Sequence, residues 1–131
     1  MGYNVKGLIK KAINNNYFRH VLETGDNMQV VIMSLKPDED IGEEVHPDNE
    51  QLLICISGKG KYQVNGKESM FTDGDLVLVH AGQRHNFINS GSTDMKILTI
   101  YSPPHHKDAT IHRTKSDANR IYSNQKVFLR Y

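Results

Sequence analysis

Two short segments of this chain carry the side chains best suited to chemistry. One runs Glu44-Val45-His46-Pro47-Asp48-Asn49-Glu50-Gln51 and closes at Gly58; the other runs from Gly74-Asp75 through Ala81-Gly82-Gln83-Arg84-His85 and closes at Asn89. They combine two histidines, carboxylates and an amide beside glycine turns and apolar runs, as a metal site on a β scaffold requires. Glu44 and His46 are two apart, so on a strand both face the same way. If that way is inward, an ionised Glu44 without a partner costs several kcal/mol or more, and a bound cation removes the cost. Pro47 favours an extended backbone at His46. Glu50 and Gln51 compete for the next donor position, because adjacent strand residues face opposite ways. Glu50 brings charge, whereas Gln51 brings a weaker neutral oxygen. His85 completes the set at the start of a strand. Two histidines, one carboxylate and one weak ligand leave room for water or substrate. Such a set suits Mn, Fe, Co, Ni or Zn, and is closer to an open two-His, one-carboxylate iron site than to a closed structural zinc site.

Strands must position these side chains, and the chain reads as mostly strand. Val5, Leu8, Ile9, Ala12 and Ile13 form a helical stripe, with Asn4 as the expected N-cap and Asn14-Asn15-Asn16 as its end. Beyond it, strands are expected over 17–23, 28–35, 51–57, 61–64, 68–71, 76–79, 84–89 and 95–102. Asn65-Gly66 marks a two-residue hairpin, and Pro103-Pro104 stops the last strand. Short strands separated by glycine turns predict an all-β antiparallel sandwich or barrel. The expected organisation is one domain, with an N-terminal helix or arm over 1–16, a barrel over 17–104 and an irregular C-terminal tail over 105–131 packing on or beside it.

Composition narrows the function classes. The 131 residues are 37% hydrophobic, enough for one core, and no apolar run approaches a membrane span. Met1 to Lys11 lacks signal-peptide features, and Lys6 breaks the myristoylation pattern, so a soluble cytoplasmic protein is expected. The single Cys55 lies in the apolar run 52–56 and is expected in the core, not as a ligand. A net charge of +1 gives no reason to expect nucleic acid. Residues 38–50 nevertheless hold seven acids and no Lys or Arg, while 105–131 hold six Lys and Arg against two acids. These read either as two solvated faces or as an acidic cation-binding rim opposite a basic flap, with Lys107, Arg113 and Lys115 as an anion clamp.

At this point the residues resemble a family, the cupins, which are double-stranded β-helix (jelly-roll) barrels with two motifs. The second has the form G-x5-P-x-G-x2-H-x3-N. Gly74, Gly82, His85 and Asn89 match it, with His80 in place of the proline. The first has the form G-x5-H-x-H-x(3,4)-E-x6-G. Counting back from Gly58, the resemblance puts Gln51 at the glutamate position, His46 at the second histidine and Glu44 at the first, while Gly42 is out of register. It covers about residues 28–102 and implies a metal held by Glu44, His46, Gln51 and His85. Flanking text, Ile41 to Pro47 and Tyr101 to His106, is similar to a bacterial single-domain group labelled mannose-6-phosphate-isomerase-like. The alternative for the four site residues is a hydrogen-bonded polar interior without metal.

The function expected from this reading is metal-dependent chemistry on a small polar molecule such as a sugar, sugar phosphate or keto acid. Isomerisation is favoured because it needs only a polarising cation and a base. Oxygen chemistry at iron and a non-catalytic metal or small-molecule binding module are the alternatives. His80 is expected at a turn or surface. His105, His106 and His112 are expected in the polar tail, with one of them folding over the barrel mouth as a general acid or base as the alternative. Tyr62, Phe71 and Phe87 are expected to line core or cavity. A small-molecule ligand, no nucleic acid, no membrane and a homodimer complete the expectations.

Overall fold

Alternating apolar residues bounded by glycine turns make ten strands and two helices among the described residues, which are 4–125 of this computed structural model. In chain order they are α1 (Leu8–Asn14), β1 (Arg19–Thr24), β2 (Gln29–Leu35), β3 (Glu44–Val45), β4 (Glu50–Ser57), β5 (Lys59–Val64), β6 (Lys67–Thr72), β7 (Leu76–Val79), β8 (Arg84–Asn89), β9 (Met95–Ser102), β10 (Ile111–His112) and α2 (Lys115–Gln125). A six-stranded sheet, β10-β1-β2-β9-β4-β7, faces a four-stranded sheet, β3-β8-β5-β6, with every pairing antiparallel. This is the expected double-stranded β-helix.

Strand β4 shows how the sequence pattern becomes packing. Gln51, Leu53 and Cys55 point into the sandwich and are buried, while Leu52, Ile54 and Ile56 point outward and are half-buried. The inward set joins Val31, Met33, Ile97, Phe71 and Phe87 in the main core. Ile54 and Ile56 pack instead on a second cluster of Ala12, Ile32 and Leu98, beneath α1. The run 52–56 is therefore apolar on both sides because both sides are covered, each fully buried aliphatic contributing about 1.5–3 kcal/mol.

Gly7, not Asn4, caps α1: its left-handed backbone (φ 62) turns the chain into Leu8, and its carbonyl accepts from Lys11 N–H at 2.8 Å. Asn15 ends the helix in extended conformation, its side chain closing a local turn with the backbone of Tyr17. Gly60 has no room for a side chain, since a Cβ there would lie 2.2 Å from the Ile88 carbonyl oxygen and 2.3 Å from Met95 Cε.

The stretch after Pro104 is more structured than its weak periodicity implies. Strand β10 pairs with β1, opposing His112 to Arg19, and α2 follows. Thr114 caps that helix, its Oγ1 accepting from Asp117 N–H at 3.0 Å. The apolar triplet Val127-Phe128-Leu129 lies outside the described residues. No helix among the described residues is long and apolar enough to cross a membrane.

Candidate functional site

Register places the motif residues on one interior surface. Glu44 on β3 lies directly opposite His85 on β8, so both side chains leave the same face of the four-stranded sheet. His46 follows β3 and remains buried. Gln51 enters from the other sheet, where β4 sets it beside Tyr101 of β9 and Val79 of β7. The candidate site thus spans both sheets near one end of the sandwich. Glu50 is excluded from it, since it points outward and meets exposed His80 at 3.1 Å.

The donor atoms of three of these residues are buried without hydrogen-bond partners: His46 Nε2, His85 Nε2 and Gln51 Oε1. Local bonding sets their chemistry. His85 Nδ1 donates to the Gln83 carbonyl at 2.9 Å, which leaves the lone pair on Nε2. The Gln51 amide nitrogen donates to Thr99 Oγ1 at 3.0 Å, which leaves the amide oxygen free. His46 Nε2 lies 3.7 Å from Glu44 Oε1. The rings of His46 and His85 are 5.0 Å apart between centroids.

A ring from the tail joins this group. One potential ligand atom each from Glu44, His46 and His105 lie within 4.8 Å of one another. His105 packs edge-on to His46 at 4.3 Å and stacks on Tyr101 at 5.3 Å. Of the two readings of the tail histidines, folding over the barrel mouth is the one the geometry matches for His105. The buried amide of Gln29 holds the segment there: its Oε1 accepts from the backbone N–H groups of His105 (3.2 Å) and His106 (2.9 Å), and its Nε2 donates to the His106 carbonyl (2.7 Å). Asn49 ties the preceding turn through the Pro103 carbonyl. Sequence reading left Gln29 unnoticed, although an amide within the apolar run 28–35 was the available signal.

Burial dominates the electrostatics. It pushes His46 down to about 3, helped by His105, His85 and Arg19, and His105 down to about 4, helped by Arg19 and His85. Burial also lowers His85 against the opposing pull of the Gln83 carbonyl. The imidazoles are thus neutral at physiological pH, the form that binds metal. Burial raises Glu44, and the Arg19 charge partly offsets this. Arg19 itself is 5% exposed; its Nη1 donates to His112 Nδ1 at 3.0 Å, and the guanidinium lies 5.2 Å from the Phe18 ring centre.

The donor set fits a divalent transition metal. Three buried, unpartnered nitrogen and oxygen atoms, one of them 3.7 Å from a carboxylate, are costly, and a cation of intermediate hardness is the kind of partner such donors satisfy.

Comparison with known proteins agrees with the fold. A family model described as Cupin domain matches residues 31–101. The uncharacterized protein YrkC of Bacillus subtilis (strain 168) is 44% identical over 111 residues, covering 79% of this chain and 59% of that protein. An oxalate-binding protein of Thermotoga maritima is 28% identical over 68 residues, covering 52% of this chain and 56% of that one. A crystal structure of a Bacillus halodurans protein superposes with a TM-score of 0.88 at 35% identity, over 91% of this chain and 95% of that one. The matches to the first two curated relatives span 59% and 66% of their lengths.

Proposed function

The chain belongs to the cupin family, and on that premise we propose that it binds one divalent transition metal (Mn, Fe, Co, Ni or Zn) through Glu44, His46, Gln51 and His85 and acts on a small polar molecule. The observation that carries this reading is that His46 Nε2, His85 Nε2 and Gln51 Oε1 are all buried and unpartnered, with His46 3.7 Å from Glu44 and His85 opposite Glu44 in register. When bound, the metal supplies Lewis-acid polarisation of a carbonyl or hydroxyl. His105 stands at the mouth as a neutral imidazole and carries the proton. Tyr101 and the Gln29 clamp hold its ring against the site. That equipment favours isomerase-type proton transfer on a sugar, sugar phosphate or keto acid.

Two other readings each have an observation behind them. Glu44, His46 and His85 form a two-His, one-carboxylate set, which favours oxygen chemistry at iron. The relative named as oxalate-binding favours a module that binds without turnover. We also propose a homodimer, because edge strand β7 exposes Leu76 and Leu78 (56% and 46%). Light scattering on the eluting protein tests this, and a monomeric mass would refute it.

Elemental analysis of the purified protein and of His46→Ala and His85→Ala tests the metal assignment. Stoichiometric metal in the wild type and its loss in both variants is expected; unchanged content in both variants ends the metal reading. Turnover of an aldose and ketose phosphate panel supports the isomerase. Oxygen uptake with added Fe(II) supports the oxygenase, and silence in both assays supports the module.

A further inference from the structure

We propose that Arg19 is the anion-recognising residue of this site, and that the ligand is a small carboxylate whose carboxyl group docks on the free edge of the Arg19 guanidinium. The proposal deepens the reading above by naming the substrate class. It relies on that reading for where the reacting end lies, whereas the anion contact itself needs no metal.

Three observations carry it. First, Arg19 is 5% exposed, and its guanidinium makes one hydrogen bond among the described residues, from Nη1 to a histidine nitrogen. Its Nε is buried without a partner, and no carboxylate among the described residues lies within ion-pair distance of it. A buried cation with no carboxylate in ion-pair contact is costly, and a carboxylate brought by a ligand reduces the cost. Because Nη1 is engaged, the edge left is Nε with Nη2, a parallel pair of N–H groups that matches the two oxygens of a carboxylate.

Second, Arg19 lines a cavity together with Phe18, Ile41, Gly42, Asn119 and two carboxylates, Glu44 and Glu43, the latter paired with Arg84 at 3.7 Å. Glu44 also belongs to the cluster with His46 and His105. One wall therefore links the free guanidinium to the proposed reacting centre. Third, the cavity holds about 170 Å³. That is room for an acid of three or four carbons. Strand β1 supplies this residue, and β10 fixes its orientation through the opposed pair Arg19 and His112.

Calorimetric titration of the purified protein with pyruvate, with hydroxyacetone (its neutral counterpart) and with inorganic phosphate tests the proposal. The titrations are made on the wild type, Arg19→Lys and Arg19→Met, with circular dichroism and metal content measured on each. Pyruvate is expected to bind the wild type and to bind Arg19→Met about tenfold or more weakly, the cost of losing a charge-assisted hydrogen-bond pair. Hydroxyacetone is expected to bind all three equally. Arg19→Lys keeps the buried charge without the two-pronged edge, so a folded Lys variant with weakened pyruvate binding supports the assignment even where the Met variant misfolds. Pyruvate binding that is unchanged in a folded Met or Lys variant, or absent in the wild type, overturns it. Phosphate binding tighter than pyruvate overturns the carboxylate class. A wild type that carries no metal yet binds pyruvate through Arg19 sinks the metal reading and supports this one.

Discussion

Lowering the pH of metal-free protein should unfold it through its buried imidazoles, and His46 gives the size of the effect. Its pKa is held down to about 3 in the folded protein by burial and by neighbouring His105, His85 and Arg19, against an ordinary value of 6.5. Below pH 6.5 the unfolded chain therefore takes up a proton that the folded chain refuses. Stability is fully present above pH 6.5 and is lost progressively as pH falls from 6.5 towards 3. At pH 5 the loss from His46 is about 2 kcal/mol, at about 1.4 kcal/mol per pH unit. His105, held to about 4, adds a similar loss of about 2 kcal/mol. Lowered His85, His106 and His112 act in the same direction. Glu44 opposes them: its raised pKa lets the folded chain take up its proton first, which relieves the buried carboxylate as pH falls. A loss of about 4 kcal/mol from two rings is a large share of the stability of a domain this size. The assay is urea unfolding of chelator-treated protein at pH 7.5 and pH 5.0, followed by circular dichroism, on wild type and His46→Gln. The wild type should be markedly weaker at pH 5.0, and His46→Gln should shrink the difference by about 2 kcal/mol. Equal differences in the two proteins, or a wild type stabilised at pH 5.0, would refute the argument that burial holds His46 neutral.

Four further outcomes are expected. Gly60→Ala should destabilise by about 1–3 kcal/mol in thermal or urea unfolding, because a Cβ would collide with the backbone of Ile88 and with Met95. Glu50→Gln should leave metal content unchanged and alter stability by less than about 1 kcal/mol, since Glu50 and His80 are exposed. Gln51→Leu should lower metal content while keeping the fold, and elemental analysis distinguishes the two adjacent positions. Cys55, buried and raised to about 11 by burial with help from Asp73 and Asp75, should resist a thiol reagent at pH 8 until denaturant is added.

The barrel was legible in the sequence because its strands are two-faced and bounded by strong turns. Leu76–Val79, Arg84–Asn89 and Met95–Ser102 have the bounds expected from the sequence. Asn65-Gly66 forms the predicted hairpin turn, with left-handed φ values of 50 and 82. Motif spacing favours Gln51 over Glu50, and β4 turns Gln51 inward and Glu50 outward. What escaped was whatever depends on contacts far along the chain. Nothing local tells that Gln29 will clamp the backbone of His105 and His106, 76 and 77 residues later. Arg19 looks like an ordinary surface cation until β10 and α2 cover it. Helix α2 did announce itself, through the capping pattern Thr114-Lys115-Ser116-Asp117, but its polar composition hid it from a reading based on apolar periodicity.

The pairing of β10 with β1 separates this molecule into a socket and its attachments. The region matched by the family model, 31–101, contains Glu44, His46, Gln51 and His85 but neither Arg19 nor His105. The Arg19 guanidinium and the His105 ring come from opposite flanks of the chain, brought to one rim by β10 and by Gln29. A graft that carries only the matched region into another protein would therefore transplant the donors of the proposed metal centre without the groups assigned here to select a ligand and move its proton. On that proposal, selectivity in this barrel would be rewritten from its margins while its motifs stay untouched.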